Sequence, residues 1–460
     1  MLKPTLAAAC LTALASCAVN PTPAFREVQS TIQQRTGHTL FWNRGTAEDQ
    51  QAAVALHDLL AHPLTQDSAL QIAFLNNPSL QATLENIGIA QADLVQAGLL
   101  KNPTFSASWR FPNAPGQTDA EYALAQDFLE ILLIPLRKKF AAAELQRTQA
   151  SVAHDILALT ADVQIALLRV QAQQQLLDRL NVLRDIHQTS VELAQRQHDA
   201  GTMNDLDLAN LQATAAQSKL DLDKAHLELT DDREQLNRLL GLWGNDTAWT
   251  TASELPPIPT VEVPLDHLEP LAIAHRLDLA ARRRSLQSLG LAAGLSSDFR
   301  FLSSLKIGID TEHETDGSRV TGPTLDLELP LFDQGQARIA KLQSHYRQAR
   351  QEFLQLAINI RSDVRAARDR LTAQRDLALY YQQTLLPLRG NIVRLTLLHY
   401  NGMLTGVYEL LLAKQNEVDA QRAAIDALRD YWIARTELQR ALGGQLPSPA
   451  TTNPSTGDSQ

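Results

Sequence analysis

The chain has 460 residues, 44% hydrophobic but only 5% aromatic, with a formal net charge of −10. That length allows two or three ordinary domains and a large core, while the acidic balance excludes a phosphate-binding footprint, so nucleic acid is not an expected partner. Abundant Ala, Leu and Gln with few aromatics is the composition of long packed helices.

Residues 1–16 read as an export signal. Lys3 supplies the positive start, Leu6–Leu14 a short apolar segment, and the run LASC ends in small residues before Cys17. Cys17 is therefore the expected lipid-attachment site of a bacterial lipoprotein. Ala18 follows it instead of Asp, which favours sorting to the outer membrane. The competing reading is an ordinary signal peptide, or a buried N-terminal helix, with an incidental cysteine. The only other cysteine, Cys10, lies inside the signal, so a mature chain has no disulfide to form. No later segment has ~18 unbroken apolar residues, so any crossing of a membrane is expected to be made by strands.

Residues 17–64 show weak periodicity and read as a lipid-anchored tether or wrap-around arm. A first structural repeat is read over 65–253. From Asp67, taken as an N-cap, a helical pattern runs to Gly98, with an interruption at Pro78. The period then changes. In TFSASWRF (104–111), Phe105, Ala107, Trp109 and Phe111 alternate with Ser106, Ser108 and Arg110, a strand with one apolar and one polar face. Residues 112–121 read as a polar loop and a second, less regular strand spans roughly 122–132. Pro135 precedes the tract Leu136–Ala200, 65 residues without Gly or Pro; Gly201 stands alone before a second such tract of 39 residues, Thr202–Leu240.

A Pro-rich linker over 254–264 leads to a second repeat over 265–444. Residues 268–294 match the first helical pattern, and Leu305, Ile307 and Ile309 alternate with polar residues over 304–310. Residues 311–323 read as another polar loop, and 324–332 as a strand with Leu325, Leu327, Leu329 and Leu331 on one face. A helical arm, Gln336–Leu386, ends at Pro387 and Gly390, and Gly402 precedes a last helix to Leu442. Pairing Pro135 with Pro330, Gly201 with Gly402, and Gly241 with Gly443 gives offsets of 195, 201 and 202. Such near-constant spacing indicates an internal duplication. The Pro/Ser/Thr-rich segment 445–460 is expected to be a disordered tail.

Alternation alone leaves two readings of the strands: a small soluble sheet, or a membrane barrel wall with lipid outside and water within. Four strands cannot close a barrel, and an open edge is not tolerated in lipid, so the second reading requires several chains to share one barrel. The export signal and the lack of disulfides favour it. At ~1.5 Å per residue, 65 helical residues span about 100 Å. A helix that long needs lateral partners throughout, and the recurrence of Leu, Val, Ile and Ala points to a coiled-coil wall.

The stretches ALQIAFLNNPSLQA, AQADLVQAGLLKNPTFSASW, LELPLFDQGQARIAKL, HDAGTMNDLDL with its LNRLLG ending, and HYNGMLTGVYELLLAKQNEVDAQ carry a resemblance by their order and duplication. They resemble the TolC-like outer-membrane efflux proteins, especially the lipoprotein branch, from about residue 65 to 443. The resemblance implies a mainly α homotrimer. Four strands per chain would build a 12-stranded membrane β-barrel, and duplicated long helical hairpins a periplasmic α-barrel. It implies an exit duct set in outer-membrane lipid. The duct would passively conduct substrates delivered by an inner-membrane transporter through a periplasmic adaptor (a membrane fusion protein), with no cofactor and no catalysis. Gly201 and Gly402 would mark the periplasmic tips, Asp205 and Asp207 first-tip contacts, and Glu409 an acidic gate, in a second turn that looks one residue longer than usual. Leu277 stands where the family has a proline, and IPLRKKF stands where the second copy has LPLFDQGQARI.

Plainer readings stand beside these. Asn204 or Asp205 caps the outgoing helix with Asp207 in its first turn, and Glu409 is an ordinary surface glutamate. Met203 and Met403, the only methionines after Met1, sit at the tips for adaptor contact or, less simply, a soft-metal path. His313, between Glu312 and Glu314, reads as solvated in a loop. No metal-binding His or Cys spacing, phosphate loop or nucleophile elbow is present. The alternative function is a periplasmic lipid-anchored coiled-coil adaptor or scaffold. That protein would carry one hairpin between β-rich half-domains, whereas this sequence carries two. A lipoprotein enzyme would need a polar constellation that the sequence lacks.

Overall fold

The computed structural model describes residues 19–447 except 112, 114–117, 253, 299–304 and 315. The signal, Cys17 and the tail beyond 447 therefore lie outside the described residues. Thr22–Thr36 (α1) and Ala47–Leu60 (α2) occupy the stretch expected to be a tether. It is structured because Ile32, Leu40, Trp42 and Leu64 are buried, enough apolar area to offset the entropy of ordering it. Gln66–Asn76 (α3) and Pro78–Gly98 (α4) follow. The α3 N-cap is Thr65, not Asp67: its hydroxyl accepts from the Ser68 amide and Ser68 Oγ returns to the Thr65 amide in a capping box.

Strands Thr104–Arg110 (β1) and Asp119–Asp127 (β2) lead into Phe128–Asp199 (α5), a helix of 72 residues. The second strand thus lies earlier than 122–132 suggested, and the helix runs through Pro135, whose missing N–H removes one internal bond. Asp205–Leu240 (α6) completes the first hairpin. Leu268–His275 (α7), Leu277–Asp298 (α8), Leu305–His313 (β3) and Arg319–Leu327 (β4) repeat the order. Two expectations shift here. Residues 311–313 and 319–323 are strand, not loop, and 328–332 are not strand, because Leu327 pairs with Leu305, where β3 begins. His313 is consequently the last residue of β3. Gln336–Tyr380 (α9), a π-helical turn Tyr381–Leu385, Leu386–Asn401 (α10) and Val407–Ala441 (α11) finish the chain.

The chain divides into two compact units, each drawing on both halves of the sequence. The first holds the sheet with the adjoining parts of α4, α5, α8 and α9. Glu144 there accepts from Arg147 Nε at 2.7 Å and Ser288 Oγ at 2.6 Å. The second holds the long hairpins and the linker. Its main core joins Leu64, Ile72 and Ala73 with Val163, Leu167, Val170, Leu236, Leu240 and Trp249. One stretch within Ile131–Asp199 is long and apolar enough to cross a bilayer. Its Val163, Leu167 and Val170 are spent in that core, so it is a packed helix. The linker is a strap: Leu255 packs with Leu168, Ala172 and Trp432, Trp432 Nε1 donates to the Pro256 carbonyl at 2.8 Å, and Tyr431 Oη donates to Glu262 at 2.6 Å.

The duplication has a structural register. Gly241 caps α6 at φ +71° and Gly443 follows α11 at φ +88°. A Cβ on Gly241 would stand 2.6 Å from the Asn76 carbonyl oxygen, and one on Gly443 2.9 Å from that of His275. These are the last residues before the α3/α4 and α7/α8 breaks. The breaks share a backbone, φ −69°, ψ 115° at Asn77 and φ −67°, ψ 119° at Arg276. Leu277 therefore keeps the geometry without proline. Arg35 Nη1 helps to hold it by donating to both the His275 and Gly443 carbonyls, groups a helix terminus otherwise leaves unpaired.

Above the π turn the buried residues Val163, Ala166, Val170 and Leu177 match Val364, Ala367, Leu371 and Ala378, an offset of 201. Below it the offset is 202. The one extra residue of the second copy is thus absorbed at Tyr381–Leu385, where the Leu386 amide reaches back to the Tyr381 carbonyl. Pro387 directly follows; with no N–H to give, it makes this the cheapest place to change helical register.

Candidate functional site: sheet faces and hairpin tips

The four strands form one antiparallel sheet in the order β1-β2-β3-β4. Register decides what each face carries. Phe105 lies opposite Leu124, Leu124 opposite Ile309, and Gln126 pairs with Ile307 and that with Leu325. One face therefore collects Phe105, Trp109, Leu124, Ile309, Leu325 and Leu327, which remain between 48% and 68% exposed. Trp109 and Tyr122 meet edge to face at 6.0 Å near its loop end. On the opposite face stand Arg110, Asp119, Glu121, Asp127, Lys306, Asp310, Glu312 and Asp326, six acidic groups against two basic. Arg110 pairs with Asp119 and Glu121 at 3.4 Å each. No residue of the four strands is fully buried, and β1 and β4 have no further strand partner among the described residues. A soluble sheet would bury its apolar face; this one has lipid-like demands on one side, water-like on the other, and two open edges.

The hairpin tips share one turn. Below α5 the Gly201 amide bonds the His198 carbonyl and the Thr202 amide that of Gln197; below α10 the Met403 amide bonds Tyr400 and the Leu404 amide bonds His399. Gly201 has φ +73° and Met403 φ +56°, whereas Gly402 has φ −84°. The counterpart of Gly201 is thus Met403, not Gly402, and the two turns are equally long: the expected extra residue sits at the π turn instead. N-caps Asn204 and Gly406 match as well, which aligns Asp207 with Glu409 at the third helical position.

Each predicted tip residue has a definite place. Asn204 Oδ1 caps the Asp207 amide at 2.8 Å, and Asn204 Nδ2 donates to the Asp207 carboxylate at 2.8 Å. Asp205 lies 2.7 Å from His198 Nε2; that hydrogen bond, then the Asp205 charge with a smaller contribution from Asp199, holds the imidazole above its ordinary value despite some desolvation. Glu409 is exposed, its carboxylate folded back over Gly406 at the start of its own helix, where the helix dipole favours it. Met203 is half-buried, while Met403 is 94% exposed beside Leu404. Sequence reasoning missed the link between tips: Tyr408 Oη donates to Gln197 Oε1 at 2.7 Å. It also missed His198, although antiparallel pairing across Gly201 puts that residue beside Asp205. Among the described residues no group of three His, Cys, Asp or Glu could hold a metal.

A sheet with an exposed apolar face and open edges, in one chain with duplicated hairpins whose tips match, is an architecture shared with solved outer-membrane channels. Among proteins of known role, the chain is similar to the cobalt-zinc-cadmium resistance protein CzcC of Cupriavidus metallidurans, 25% identical over 399 residues, 83% of this chain and 91% of that one. Solved structures with the same fold include a membrane protein from Pseudomonas aeruginosa (TM-score 0.70, 18% identity, 82% of this chain and 92% of that one). The Campylobacter jejuni CmeC outer membrane channel also shares it (TM-score 0.72, 16% identity, 83% and 86%). No family model matches the chain. The chain thus has the fold of the solved outer-membrane channels.

Proposed function

We propose that three copies of this chain close one 12-stranded barrel and form an exit duct that a periplasmic adaptor and an inner-membrane transporter supply from below. The observation that carries this reading is the sheet: an apolar face open to solvent opposite a charged face, with two unpaired edges. Joining β1 of one copy to β4 of the next satisfies every edge at once. The tips then face the adaptor, with Met403, Leu404 and the half-buried Met203 as apolar contacts, and Gly201, Asp205, Asp207, Met403 and Glu409 rimming the entrance. Cys17 carries the lipid anchor, and no side chain performs catalysis.

The acidic face makes cations the favoured cargo, and the divalent metals named for the Cupriavidus relative belong to that class. Purified mature protein reconstituted in planar bilayers should give discrete conductance steps and run as a heat-dissociable trimer. A chain that stays a detergent-free monomer and never conducts would overturn the proposal. Retention of membrane lipid label after Cys17→Ser would remove the anchor alone.

A further inference from the structure

Within the second unit a cavity of ≈ 360 Å³ opens between α5, the linker strap, the π turn and α11. Its volume lies within the roughly 300–1,000 Å³ of small-molecule sites. Ile258, Ile425 and Leu428 supply an apolar floor, and Asp178, Arg179 and Glu254 charge the rim. Two observations separate this cavity from a packing gap. The π turn contributes Gln382 to its wall, and such turns concentrate at functional sites because they forgo regular helical bonding. The exposed side chains of Asp178, Arg179 and Glu254 also have no hydrogen bond or ion pair among the described residues. Carboxylates outnumber the single guanidinium, so the unspent charge is negative.

We propose that this cavity binds an amphipathic organic cation, its apolar body against Ile258, Ile425 and Leu428 and its positive centre facing Asp178 and Glu254. The site is independent of the duct reading, since all its walls come from one chain. A drug-sized ligand held by these contacts should bind with a dissociation constant on the order of micromolar.

Isothermal titration of the purified full-length chain in detergent tests it, with tetraphenylphosphonium as probe and tetraphenylborate as the same shape with opposite charge. Saturable binding of one cation per chain is expected, with the borate at least about tenfold weaker. Asp178→Asn with Glu254→Gln should weaken the cation about tenfold or more, and Ala424→Trp, which fills the cavity, should abolish binding while the oligomer persists. Equal binding of the two ions, unchanged binding in the filled variant, or no heat beyond empty micelles overturns the proposal. So does dissociation of the oligomer in Ala424→Trp, which would mark the cavity as a seat for another copy.

Discussion

Tyr408 Oη lies 2.7 Å from Gln197 Oε1 and is the hydrogen bond that ties the last turn of α5 to the first turn of α11. Desolvation raises the phenol's pKa, so it remains a donor throughout the physiological range. A bond of this kind contributes about 0.5–1.5 kcal/mol. Tyr408→Phe removes it without changing volume. Single-channel records should then show longer or larger openings at an unchanged melting temperature, because the bond holds only the tip. Currents identical to wild type would show that the tip link plays no part in closing the entrance.

The tip of the first hairpin should loosen as pH rises. His198 has a folded pKa raised above 6.5, first by its hydrogen bond to Asp205. A raised value for a cationic acid means that the stabilising contribution is complete below 6.5 and is lost as pH climbs through the folded value. Hydrogen exchange at Ala200–Asn204, corrected for intrinsic rates, should show protection falling between mildly acidic and alkaline pH. Asp205→Asn should flatten that dependence. If protection is pH-independent in the wild type, the pair does not order the turn.

How far the sequence discloses this molecule depends on whether the cause is local. The alternation of Phe105, Ala107 and Trp109 is local, and it marked a strand ending within a residue of β1. The ends of β2 and β4 are not local, because cross-strand register sets them: Leu327 stops where Leu305 begins. Pro387 and Gly390 read as the end of a helix. Tertiary packing of Ala378 on one side and the turn at Met403 on the other instead forced a one-residue π insertion that no propensity reveals. At the tips, glycine identified the turn correctly in the first copy, where Gly201 takes the left-handed backbone. It misled in the second, where Met403 takes that backbone beside an available Gly402. Asn204 as a cap was legible from residue type; the pairs His198–Asp205 and Tyr408–Gln197 were not, because they need the hairpin geometry first.

That inversion makes a ranking of stabilities testable. A non-glycine residue in the left-handed region costs about 1–2 kcal/mol, so Met403→Gly should stabilise by up to about 1 kcal/mol once the greater freedom of unfolded glycine is subtracted. Gly201→Ala should cost about 1 kcal/mol by the same reasoning. Gly241→Ala adds a collision, with Cβ 2.6 Å from the Asn76 oxygen and 2.9 Å from Pro78 Cδ, and should cost more than about 2 kcal/mol. Thermal melts of the detergent-solubilised protein, with limited proteolysis at the tips, should rank the variants in that order. A Gly241→Ala protein melting with the wild type would contradict the close approach on which the duplicated helix breaks depend.

Ion selectivity follows from the strand register. Each chain places Asp119, Glu121, Asp127, Asp310, Glu312 and Asp326 on the face that carries only Arg110 and Lys306 in return, and Arg110 is already engaged with Asp119 and Glu121. In the proposed three-chain barrel that face would line the pore, where low-dielectric walls strengthen the field of fixed charge. Cations should therefore accumulate and anions be repelled, the more so at low ionic strength, where the Debye length grows to about 30 Å at 0.01 M. Reversal potentials across a KCl gradient should give a permeability ratio for potassium over chloride clearly above one, declining as salt is raised. Asp310→Asn with Glu312→Gln should bring the ratio down by several-fold without loss of conductance, whereas the same changes at Glu48 and Asp49 of α2 should leave it unaltered. An anion-selective wild type, or a ratio indifferent to those two lumen carboxylates, would mean that the charged face does not line the pore.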